Sequence, residues 1–75
     1  MRTIYIIGLE DYDVGEVEGA FDDKGALLDT WCCNDATWRH EYFEGLMNAL
    51  GVSVKSPPKR LRSKMEKQLR EHWDQ

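Results

Sequence analysis

The sequence predicts an α+β domain: a three-stranded antiparallel meander followed by two amphipathic helices, in the order β-β-β-α-α. Three observations carry this. Residues 2–10, RTIYIIGLE, are rich in β-branched and aromatic side chains. Residues 16–33 read as two strand-like segments joined by Asp22-Asp23-Lys24-Gly25, a turn sequence. Two later stretches repeat apolar residues every four positions, the spacing of one helix face.

In the first segment Ile4 and Ile6 face one way, and Tyr5, Ile7 and Leu9 the other, so both faces are apolar. That marks a central strand covered on two sides. An acidic turn, DYDVG over 11–15, precedes the second strand, Glu16 to Phe21. There Val17 and Phe21 share one face, and Glu16 and Glu18 take the other, which reads as wet. Asp22 and Asp23 suit a tight turn and Gly25 supplies a positive φ, so Ala26 to Cys33 returns as the third strand. A helix over 23–33 competes with the hairpin, because Leu27/Trp31 and Leu28/Cys32 are also four apart. Gly25 would sit badly in that helix.

Asn34 and Asp35 offer cap oxygens to a helix from about Ala36 to Leu50, ended by Gly51. Winding it at about 100° per residue puts Trp38, Tyr42, Leu46 and Leu50 on one ridge, flanked by Phe43 and Met47. The ridge reads as the core stripe. His40, Glu41, Glu44 and Asn48 fall on the wet arc. Arg39 winds into the apolar arc, either as a snorkelling stem paired with Asp29 or Asp35, or as an anchor for a partner. Residues 52–55 form a short fourth strand or an extended linker. Ser56 is a cap candidate and Pro57-Pro58 suit a helix start. From Pro58 to Trp73, Leu61, Met65, Leu69 and Trp73 form a narrow apolar stripe. Arg62, Glu66 and Arg70 make a charged ladder, Lys67 pairs with Glu71, and Arg60, Lys64 and Lys67 line the outer side.

Seventy-five residues make a single small domain, 1–75, with an acidic sheet-and-helix body over 1–51 and a basic C-terminal helix over 56–75. The net charge of −4 hides an asymmetry: residues 1–46 hold eleven acids against three bases, residues 47–75 three acids against seven bases. A core of this size supplies about 3–5 kcal/mol. The two helices should cover one sheet face well. The other face is then met by a second copy, by a partner, or by the last helix wrapping round. Met1 leads straight into a strand-like run without the charged and long apolar segments of a signal peptide, and the longest apolar run is too short to span a membrane. The expected compartment is the reducing cytoplasm.

The stretch CCNDATWRHEYF (32–43) gathers thiols, a carboxylate and an imidazole, yet points away from a metal or catalytic site. Cys32 and Cys33 are adjacent, so on a strand they diverge, whereas structural zinc needs spaced, convergent pairs. There is no nucleophile elbow, phosphate loop or H-E-x-x-H. We therefore expect no enzyme, cofactor or metal. Two binding readings remain. The basic last helix could follow phosphates. A protein partner is favoured by the uncovered sheet face and by eight aromatics that suit interface anchors. The acids at Glu10, Asp11, Asp13, Glu16, Glu18, Asp22 and Asp23 could steer the chain to a basic surface. Candidate partner-binding residues are thus Arg39, Glu16, Glu18, Asp22, Asp23, Arg60, Lys64 and Lys67.

The hairpin written GEVEGAFDDKGALLDTW and the capped aromatic helix NDATWRHEYFEGLMNALG resemble, over residues 4–51 and in pattern, the small accessory proteins of bacteriophages. The resemblance implies a non-enzymatic protein that binds and inhibits or modulates one host protein, such as a nucleic-acid-handling or defence (anti-CRISPR type) complex. A homodimer is compatible with it, and a nucleic-acid-binding module acting through the last helix is the alternative.

Overall fold

Alternation along the first strand decides the architecture, because a strand apolar on both faces demands cover on both. The computed structural model describes residues 3–11, 15–32 and 36–73. Its elements are β1 (Thr3–Asp11), β2 (Gly15–Phe21), β3 (Leu27–Cys32), α1 (Ala36–Ala49), β4 (Ser53–Lys55) and α2 (Lys59–Trp73). The fold is α+β, with three antiparallel strands and then helices. Residues 53–55 add a fourth strand, parallel to β1, giving a mixed sheet in the order β3-β2-β1-β4. β1 is accordingly an inner strand.

The two helices lie on opposite faces of the sheet. On one face Ile4, Ile6, Ala20 and Trp31 receive Phe43 and Met47 of α1, with Val52 and Val54. On the other, Ile7, Val17 and Phe21 receive Met65 and Leu69 of α2, with Leu61 and Trp73 at its margins. Of the three ways to cover the second face, the last helix wrapping round is the one observed. The case for a second copy on a bare sheet falls away.

Residues 27–32 are strand, not helix, and the turn before them is the reason. The Asp22 carboxylate accepts the backbone N–H groups of Lys24 and Ala26, both at 2.9 Å, and Gly25 takes φ 87°. Those two amides hold the Asp22 carboxyl below its ordinary range. α2 grips the same turn. Gln68 Nε2 donates to the Gly25 carbonyl at 2.6 Å, and its Oε1 accepts the Leu27 N–H at 3.4 Å. A bulge follows: Ala20 pairs with Asp29 but Phe21 with Leu27, leaving Leu28 without an opposite and exposed.

α1 ends in a Schellman motif, with Val52 N–H to Met47 O, Gly51 N–H to Asn48 O and Gly51 at φ 77°. Its cap candidates Asn34 and Asp35, like Cys33, lie outside the described residues. α2 starts later than a Ser56 cap would place it. The Pro58 carbonyl accepts the N–H groups of Leu61 and Arg62, so Pro58 holds the cap position. Of its charged ladder, Arg62–Glu66 closes at 3.0 Å; no other ion pair forms within α2 among the described residues.

Candidate protein-docking surface

α1 buries a different face from the one its spacing suggests. Trp38, Tyr42, Leu46 and Leu50, read as core from their four-residue repeat, are 61%, 63%, 45% and 67% exposed. Phe43 and Met47 face the sheet instead, with the Phe43 ring tilted against Trp31 at 5.5 Å. A periodicity fixes which residues share a face, not which face turns inward. Here His40 turns toward the sheet together with Phe43 and Met47.

His40 is not on a wet arc. Its Nδ1 lies 2.9 Å from Glu18 Oε2 and its Nε2 lies 3.2 Å from Glu44 Oε2. Glu18 Oε1 accepts the Trp31 indole N–H at 2.9 Å. One carboxylate therefore ties β3 to α1 through β2. The Glu18 side chain is only 13% exposed, which corrects its reading as a wet, partner-facing acid. Gly8 of β1 lies opposite Glu18, and a Cβ there would stand in ordinary contact with the Glu18 stem, 3.6 Å from its Cγ. The Glu18 hydrogen bond raises the His40 pKa above its ordinary value; burial opposes this, and the charges of Glu18 and Glu44 add to it.

The consequence is an apolar ridge displayed on a folded domain. Trp38 and Tyr42 stack nearly parallel, 5.8 Å apart and 13° from coplanar. Gly45 and Ala49 are exposed as well, so the ridge has a low shoulder on its solvent side. On the sheet side a shallow cleft separates α1 from the edge strand β3, lined by Asp29, Trp31, Arg39, Tyr42, Phe43 and Leu46. Arg39 reaches Asp29 over the cleft at 3.8 Å. Both side chains are about half exposed, so the pair adds little stability and Arg39 can be redirected. Soluble monomers rarely leave a contiguous apolar patch of several hundred Å² uncovered, and rigid aromatics with an arginine beside them are the composition of interface anchors.

The remaining candidates do not converge on this surface. Glu16 is exposed on β2, and Asp23 is exposed at the turn while Asp22 is partly covered and engaged within it. Asp13 lies outside the described residues. Arg60, Lys64 and Lys67 are exposed on α2, across the sheet from the ridge. The basic helix thus docks by Met65 and Leu69 and shows its cations outward. Lys64 Nζ also reaches the Lys24 carbonyl at 3.4 Å. Only Arg39 adjoins the ridge. Cys32 belongs to the margin of the α2-side core. Among the described residues no group of three or more His, Cys, Asp or Glu side chains is placed to hold a metal ion, and no helix is long and apolar enough to cross a membrane.

No protein-family model matches this chain, and neither a curated protein nor a solved structure matches it.

Proposed function

We propose that this chain is a non-enzymatic protein-binding module that docks through the α1 ridge, in the manner of a phage-type accessory protein that inhibits or modulates a host protein. The observation that carries the reading is the exposure of Trp38, Tyr42, Leu46 and Leu50 together, while the sheet between the helices is closed. Hiding that ridge gains about 25 cal/mol per Å² of apolar area, and among the described residues α1 puts no fully buried side chain into the core.

The test is a double variant, Trp38→Ala with Tyr42→Ala. Both side chains are exposed, so stability should change by no more than about 1 kcal/mol in a urea melt. Quantitative capture of the partner from host lysate should fall at least about tenfold. Equal capture by the variant and the natural chain would remove the ridge from the function.

One observation favours a second reading. Lys59, Arg60, Lys64 and Lys67 are all exposed on α2 and none closes an ion pair among the described residues. A nucleic-acid module acting through this strip should be retained on DNA or heparin, with affinity falling steeply in salt. Elution below about 0.15 M salt would exclude it.

A further inference from the structure

We propose that the α1 ridge is self-complementary and that its occupant is a second copy of this chain, packed antiparallel, helix on helix, about a two-fold axis beside residue 44. The inference rests on reading the ridge as a docking surface and names what docks there.

The order of side chains along the ridge is the first argument. It runs Trp38, Tyr42, Leu46, Leu50 over about 18 Å. An antiparallel copy sets Trp38 against Leu50 of the second copy and Tyr42 against Leu46 of the second copy. Each wide ring then meets a narrower aliphatic chain, so the gap between the helices is evenly filled. A parallel copy would stack ring on ring at one end and leave two leucines facing across a wider gap at the other. Gly45 is exposed beside the ridge and puts no side chain between the helices.

Charge is the second argument. Within Ala36–Ala49, α1 has no acid in its first turn and no base in its last. Arg39, in the first turn, carries the wrong sign for that end. An antiparallel copy brings the C-terminal end of its helix, with Ala49 and Leu50, to Arg39, where the sign is right. On the other shoulder Glu41 comes opposite Asn48 of the second copy rather than another acid. A parallel copy would set like helix ends side by side and keep Arg39 between two N-terminal ends. Every favourable contact is made twice by symmetry.

Size is the third. The ridge and its shoulders can bury roughly 500 Å² per copy, about 1,000 Å² in all, the low end of specific interfaces. That fits a dimer of micromolar strength. A foreign partner would then compete with the second copy, and its apparent affinity would fall as the chain is concentrated.

Sedimentation of the full chain from about 1 μM to about 1 mM at physiological salt reads this directly. The mass should rise from monomer to dimer. Leu46→Glu should move the midpoint at least about tenfold higher with an unchanged far-UV spectrum. Mixing Trp38→Cys with Leu50→Cys chains under mild oxidation should cross-link the mixture more than either variant alone, above the background of the natural chain. A monomer at every concentration, a dimer indifferent to Leu46→Glu, or stronger cross-linking within Trp38→Cys alone would overturn the proposal. A monomer that still loses partner capture with Trp38→Ala and Tyr42→Ala overturns the second copy and leaves the docking surface standing.

Discussion

Phe21→Ala is expected to leave the chain largely unfolded at 25 °C, while Trp38→Ala leaves it folded. Phe21 is fully buried between Ile7, Val17, Met65 and Leu69, at the junction of β2 with α2. Its truncation removes the transfer energy of a ring and leaves a cavity, a loss of about 3–5 kcal/mol. A domain of this size has only about 3–5 kcal/mol to lose. The sheet cannot collapse into the gap, because β2 is held on both sides, by β1 and by β3. Gly19, on the same side of β2, already lets Leu69 come within 3.0 Å of where a Cβ would stand, so α2 has no room to slide toward it. Urea melts followed by far-UV circular dichroism decide the matter. A cooperative Phe21→Ala transition displaced by less than about 1 kcal/mol would mean that α2 is not seated as described.

The contrast between Phe21 and Trp38 shows how much the residues disclose on their own. β1, the hairpin, both helix spans and the stop at Gly51 follow from local rules: alternation, an aspartate turn with a positive-φ glycine, four-residue spacing and a C-terminal glycine. These act within a few residues, so sequence carries them. The seating of each helix does not. α2 has one apolar stripe, and it turns inward. α1 has two candidate faces, and the larger one lost. The buried face carries Phe43 and Met47 and also His40, which meets Glu18, more than twenty residues upstream, whose carboxylate holds His40 and Trp31 together. A glutamate on an alternating strand looks solvated. No local pattern marks it otherwise, because its partners Trp31 and His40 lie on other elements. Gln68, which grips the backbone at Gly25 and Leu27, was equally illegible, because its partners are main-chain atoms. The displayed ridge was legible as a ridge, but its exposure was not.

The second large effect is one of pH, and it tests what seats α1. Both ring nitrogens of His40 face carboxylate oxygens, so both can donate only when the ring is an imidazolium. The bond to Glu18 is the main cause that lifts the His40 pKa above its unfolded value. The folded chain therefore holds a proton on His40 over a pH range where the unfolded chain has released it. Stability from this source is fully present below the unfolded value, near pH 6.5, and is lost as pH rises through the raised folded value. Urea melts between about pH 6 and pH 9 should show stability falling with rising pH in that window. Glu18→Gln should flatten the slope, since the amide keeps an oxygen for the Trp31 N–H but offers no charge to the imidazolium. Its cost below pH 6.5 should be about 1 kcal/mol, at the low end for a charged hydrogen bond because a third of the His40 side chain is exposed. His40→Gln should flatten the slope equally, and the two changes together should cost little more than either alone, as members of one network do. An unchanged slope in Glu18→Gln would show that the clasp does not seat α1. The orientation of the ridge would then have to come from Phe43 and Met47 alone.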